Sequence, residues 1–221
     1  DLHLSIRRQR QMCIRDSGYL IPSNMFATVV LGYMETIAHE VLKDEALAAE
    51  AASLKKEIHD AIESMAIVDN YYYGKVYAYE VDGYGQYMLM DDANVPSLLA
   101  MDYLGYEADD RQVVENTRNF VLSCANPYYY EGSCAKGVGS QHTKPGYIWH
   151  IALAIQGLTS KTKEEKLAIL NTMKNTDAGK HMMHEGFDVN DPANYTREWF
   201  SWANAMFCEL VLDYCDIRVA R

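Results

Sequence analysis

The residues best suited to chemistry in this chain are carboxylates, carboxamides and histidines set among aromatic side chains. The run Tyr87-Met-Leu-Met-Asp-Asp-Ala-Asn-Val-Pro-Ser97 places Asp91, Asp92 and Asn94 between an apolar, strand-like stretch and Pro96. Proline suits a first helical turn, where its missing N–H would have no partner to lose. Asn94 can cap that turn, leaving Asp91 and Asp92 just outside a helix N-terminus. Such a mouth of acceptors suits a polyol or sugar; alternatively, one aspartate caps the helix and the other is solvated. His142 stands in one long loop and His184-Glu185 in another, with Arg197 and Glu198 at the start of the last helical pattern. An imidazole can exchange hydrogen bonds with hydroxyls through two nitrogens, but each histidine fits a structural or surface role equally well. Glu185 taken alone reads as a solvated loop carboxylate, and Glu198 as a partner for the dipole of the helix it opens. Trp149 and Trp199 offer flat faces to the C–H side of a sugar, or are core, and Trp202 reads as core. No His-x-x-x-His or comparable spacing joins the histidines, so no metal site is expected.

Composition narrows the function classes. With 49% apolar and 23% charged residues over 221 positions, the chain is globular, and one domain is the default. A formal net charge of −11 argues against nucleic acid, because no basic stripe is broad enough to neutralise phosphates. The one basic cluster is Arg7-Arg8-Gln9-Arg10. No apolar run is expected to reach the ~18 to 20 residues of a membrane span, and the N-terminus does not read as a signal peptide. The cysteines at 13, 124, 134, 208 and 215 form no Cys-x-x-Cys pair, which favours a reducing, cytoplasmic setting. Cys208 and Cys215, a heptad apart, read as small core residues.

The elements that must position these groups are mainly helical. A stripe of Phe26, Val29, Val30, Tyr33, Met34 and Ile37 predicts a helix from Ser23, and Leu47, Ala51, Leu54, Ile58 and Ile62 predict one from Glu45 to Met65. Between 71 and 90 the period changes to two around Asp82-Gly83-Tyr84-Gly85, which predicts one small β-hairpin. Helices resume over 95–103, 111–123, 149–158, 163–175 and 199–217, while 124–147 reads as a long loop without regular structure. The class is all-α, an array of helical hairpins with the chemistry on the side of the long loops.

Several segments, in chain order, resemble glycoside hydrolase family 125, the exo-acting α-1,6-mannosidases. They include Tyr19-Leu-Ile-Pro-Ser-Asn-Met25, Ala78-Tyr-Glu-Val-Asp-Gly-Tyr-Gly85, Leu89-Met-Asp-Asp-Ala-Asn-Val-Pro96, Asn126-Pro-Tyr128, Gly146-Tyr-Ile-Trp149, Met183-His-Glu185 and Trp199-Phe-Ser-Trp-Ala-Asn204. The resemblance implies an (α/α)6 barrel, of which residues 18–221 would be the C-terminal portion. It implies removal of terminal α-1,6-linked mannose from an α-mannoside or N-glycan-derived oligosaccharide, with inversion and with neither metal nor cofactor. By alignment with the family motif Glu185 is the general base. Asp91, Asp92, Asn94, His142, Trp149, His184 and Trp199 are the implied substrate contacts. His150 stands where the family usually has proline.

The larger departure lies upstream. The family precedes its Tyr-Leu-Ile-Pro run with a segment of the type Arg-Pro-Ser-Asp-Asp-Ala, which holds the general acid. Here those positions read Arg8-Gln9-Arg10-Gln11, with no carboxylate. The run Arg8 to Ser17 resembles a translated sequencing adapter, so residues 1–17 are expected to be non-native and the chain to be inactive. The alternative is a non-catalytic mannoside-binding protein of helical-toroid form.

Overall fold

The computed structural model describes residues 18–217; segment 1–17, where the foreign run and the missing acid were expected, lies outside them. The chain divides into two compact units, Asp1–Leu89 with Leu104–Thr117, and Met90–Tyr103 with Arg118–Arg221.

The first unit is built on a helical hairpin. Strand β1 (Tyr19–Leu20) leads directly into helix α1 (Ile21–Ile37), with Pro22 in its first turn; Leu20, not Ser23, is the N-cap, and no side chain caps it. The helix continues through a π-helical turn, Ala38–Leu42, and ends at Lys43 in the left-handed region (φ 56°). Together Ile21–Leu42 make 22 residues, long and apolar enough by length and composition to cross a membrane, which corrects the expectation that no such run exists. The helix lies along α2 (Glu45–Met65), whose predicted limits hold; Asp44 caps it by accepting from the amides of Ala46 and Leu47.

Short strands follow. β2 (Ile67–Asn70) and β3 (Gly74–Tyr77) form one antiparallel hairpin. β4 (Glu80–Val81) and β5 (Tyr87–Met88) form a second, on which β1 adds as the outer strand. Asp82 Oδ1 accepts from the amides of Tyr84 and Gln86, which fixes the turn read from the Asp-Gly-Tyr-Gly run. Buried Tyr77 and Tyr106 both donate their hydroxyls to Glu63 Oε1, at 2.7 and 2.5 Å.

A helix predicted over 95–103 shrinks to α3 (Met101–Leu104); Pro96 opens no helix, and the amides of Leu98 and Leu99 go to Asp91 instead. Helix α4 (Arg111–Val121) begins in the first unit and ends in the second.

The second unit holds hairpin β6 (Tyr129–Glu131) and β7 (Lys136–Val138), then β8 (Tyr147–Trp149), which runs straight into α5 (His150–Leu158). Residues Ile151 to Ile155 are all buried, as befits a helix apolar on every side, and α6 (Lys163–Asn175) and α7 (Ser201–Tyr214) pack against it. Strands β9 (Gly186–Asp188) and β10 (Tyr195–Thr196) join β8 in the order β10-β9-β8. Helices thus take up just under half of the described residues and four small sheets accompany them, where an all-α class with one hairpin was expected, and 124–147 contains two strands rather than none. Cys208 and Cys215 are exposed, not core. Two- and three-residue strands carry no readable alternation, so the sequence pattern could not announce them.

Candidate active site

Gly186 is the hub of the corner that carries Glu185. It pairs with Trp149 of β8 on one side and Thr196 of β10 on the other. A Cβ at 186 would sit 3.0 Å from Trp149 Cδ1, so glycine lets the indole cross the strand closely. Trp149 is buried, donates Nε1–H to Thr143 Oγ1 at 3.1 Å, and meets Phe200 edge-on. Glu185 precedes Gly186, and its amide donates to Thr196 O at 3.2 Å. Its side chain is 14% exposed, with Oε1 3.3 Å from Arg197 Nε.

Behind Glu185 stands a pair of buried histidines. Burial pushes the His150 imidazole down to about 3, so it is neutral. Its Nδ1 accepts the His184 amide at 3.0 Å, which puts the ring proton on Nε2, facing Thr176 Oγ1 at 3.0 Å. Thr176 in turn donates to Thr172 O. Nδ1 of His184 lies 2.6 Å from Glu198 O and its Nε2 3.2 Å from Asp177 O, while the ring stacks on Tyr195 at 3.9 Å. Both ring nitrogens of His184 thus face backbone carbonyls, which accept its ring N–H and tie the ring to the segments on either side of Glu185.

Asp91 has no exposed surface; its two oxygens accept from the amides of Leu98 (2.8 Å) and Leu99 (2.9 Å). Asp91 thus satisfies the turn just before α3 rather than a helix N-terminus, and Asp92 is buried where a solvated aspartate was the alternative. Burial pushes this carboxyl up to about 7 in spite of the amides that favour its charged form. Asp92, 3% exposed, accepts the Asn94 amide at 2.9 Å, and Asn94 itself is half-buried. The segment is held to the rest of its unit by two ties. Asn126 Oδ1 accepts the Asp91 amide, and the Ala93 amide donates to Gly139 O. Gly139 bridges Ile148, next to Trp149, so the acidic segment and the Glu185 corner hang on one frame.

The remaining expected contacts are more open. His142 is exposed, its amide donating to Ser140 Oγ. Trp199 is 63% exposed, and Trp202, read as core, is 50% exposed. Glu198 lies before α7 begins and does not serve its dipole. Lys180 (3.1 Å) and the Tyr195 hydroxyl (2.9 Å) engage it, and the Lys180 ammonium holds it below the usual carboxylate range. Two grooves, of about 780 and 480 Å3, lie in the first unit; neither is lined by Glu185 or Asp91. Among the described residues no group of three metal-ligating side chains converges.

Comparison with known proteins decides the family. The family model described as metal-independent alpha-mannosidase, GH125, matches residues 12–212. This chain belongs to glycoside hydrolase family 125. The family 125 match begins inside the stretch that was expected to be foreign. The Meiotically up-regulated gene 157 protein of Schizosaccharomyces pombe is 42% identical over 199 residues, which are 90% of this chain and 39% of that protein. A metal-independent alpha mannosidase of Streptococcus pneumoniae, solved in a non-productive substrate complex with alpha-1,6-mannobiose, is similar at 53% identity with a TM-score of 0.86. That likeness covers 90% of this chain and 47% of the pneumococcal one. The family 125 chain described here thus spans less than half the length of these relatives. Sequence reasoning quoted Asn126, His150 and Arg197 without giving them work, because their roles come from partners 35, 34 and 12 positions away.

Proposed function

We propose that this chain carries the base and much of the terminal sugar subsite of an exo-acting α-1,6-mannosidase that works with inversion and without a metal. On this reading residues 18–221 are the C-terminal portion of one (α/α)6 catalytic domain. The observation that carries it is the shielded Glu185 carboxylate, held on the β9–β10 corner and paired with a guanidinium, in a family 125 chain. An ionised carboxylate in such a position can take a proton from water as that water attacks the anomeric carbon. A second carboxyl, about 6.5 to 9.5 Å away across the sugar, would protonate the leaving oxygen. Asp92 and Asn94 would take mannose hydroxyls, with Asp91 holding their segment in place, and His142 and Trp199 would border the sugar from the open side. The pneumococcal relative, solved with alpha-1,6-mannobiose, supports a mannoside, here the terminal residue of an N-glycan-derived oligosaccharide.

No carboxylate stands at 8–11, so an alkoxide leaving group goes unassisted and the 221-residue polypeptide should leave natural mannosides intact. A dinitrophenolate leaves without a proton. The chain should therefore release it from dinitrophenyl α-mannoside while sparing α-1,6-mannobiose, and Glu185→Gln should slow that release by about a hundredfold or more. Equal release by the variant would remove Glu185 from the chemistry. The non-catalytic reading draws on the full engagement of Asp91 by backbone amides; it predicts mannoside binding unchanged in Glu185→Gln and no release even from the activated substrate.

A further inference from the structure

We propose that Arg197 is the positioning residue for Glu185, holding its carboxylate in one fixed orientation; the catalytic part of this inference rests on Glu185 being the base. The first observation is register. β10 pairs Tyr195 with Phe187 and Thr196 with Gly186, and Glu185 and Arg197 flank that last pair, one just before β9 and one just after β10. The Glu185 amide bonds to Thr196 O, so the ladder closes there and the two side chains meet beyond its end.

The second observation is backbone strain. Arg197 has φ 46°, in the left-handed region that arginine rarely adopts and glycine or asparagine adopts readily. The conformation ends β10 and turns the chain toward α7. Only the turn is needed for the fold, and glycine would make it at less cost. The side chain gives arginine its reason to be there: Nε lies 3.3 Å from Glu185 Oε1 and the guanidinium stands 5.8 Å from the centre of the Phe200 ring. Phe200 is itself braced by Trp149 and Trp202. The cation is therefore held at both ends, by a ring below and a carboxylate beside it.

The third observation is the commitment of neighbouring groups. Glu198 is taken by Lys180 and Tyr195, the His184 ring by the carbonyls of Asp177 and Glu198, and neutral His150 by Thr176 and the His184 amide. His181 leans on Asp177. Arg197 is thus the cation at this corner whose partner is Glu185. Arg197 is 66% exposed, so solvent screens part of the attraction and the pairing acts mainly by fixing geometry.

The test reads the pairing and the chemistry separately. In the full chain with 15N-labelled arginine, the Arg197 Nε signal should shift in Glu185→Gln, because its acceptor is changed. Arg197→Met should lower kcat for dinitrophenyl α-mannoside release by about tenfold or more with KM little changed, because the carboxylate is no longer held in place. Arg197→Lys should recover only part of that loss, because ammonium lacks the planar fork. Arg197→Gly, which relieves the left-handed φ and so guards against misfolding, should be slow and regain rate when guanidinium is added. Parent-like kcat in both Arg197→Met and Arg197→Gly overturns the inference. A shifted Nε signal with undiminished release by Glu185→Gln leaves the pairing standing and removes the base assignment instead.

Discussion

Asp91 and His150, both without exposed surface in the second unit, have their protonation set by burial in opposite directions. Burial raises the Asp91 carboxyl from 3.8 to about 7, so the folded chain keeps a proton that the unfolded chain has released. Stability from Asp91 is full below about 3.8 and is lost as pH rises toward 7. Burial lowers His150 from 6.5 to about 3, so the unfolded chain takes up a proton that the folded chain refuses. Stability from His150 is full above about 6.5 and is lost as pH falls toward 3. Between about 3.8 and 6.5 the two slopes, each ~1.4 kcal/mol per pH unit, oppose and nearly cancel. Asp91→Asn should leave a stability that rises with pH across that window, and His150→Asn one that falls. Urea unfolding followed by tryptophan emission reports on this unit, since Trp149, Trp199 and Trp202 all lie in it. An Asp91→Asn curve no steeper than the parent's would contradict the assignment. At this scale the sequence made the acidic run and Glu185 visible by type and by family resemblance. It could not tell that Asp91 would spend both oxygens on amides seven and eight residues ahead, or that Arg197 would adopt a left-handed turn. Those are facts of partners and dihedral angles, which residue types do not carry.

Helices α2 and α6 keep their predicted bounds, and the structure adds caps that the sequence reading did not name, Asp44 accepting from Ala46 and Leu47 and Thr162 from Glu165. The sheets that hold the site were not legible, since each strand is two to four residues long and its partner is distant. Their dependence on close approach can be measured at Gly139. A Cβ there would meet Tyr147 O at 2.0 Å and Tyr130 Cε2 at 2.9 Å, so backbone must move to admit it. Gly139 also accepts from Ala93 and bridges Ile148, which couples the shift to the segment Asp91–Asn94. Gly139→Ala should cost ~1–3 kcal/mol and weaken mannoside binding, both readable from urea unfolding with and without sugar. Parent-like stability in that variant would show that the bridge is not needed to hold the acidic segment.

Over the whole molecule, helix α1 and its π-helical extension leave Tyr33, Met34, Ile37, Val41 and Leu42 between 44 and 71% exposed. A contiguous apolar face of this kind drives association in water. Light scattering should show the chain self-associating as concentration rises, and Ile37→Lys with Val41→Lys should suppress it. A concentration-independent monomer would contradict that expectation. The longer helices were legible from periodicity but the short strands between them were not, and the family emerged only from many motifs read together, none decisive alone. What joins these scales is the assignment of Glu185 as the base of an inverting reaction. The most direct test is the anomer of mannose first formed from dinitrophenyl α-mannoside, followed by proton NMR before mutarotation. Inversion by water activated at Glu185 predicts β-mannose, lost in Glu185→Gln. First-formed α-mannose would mean a covalent or unassisted route and would contradict the account.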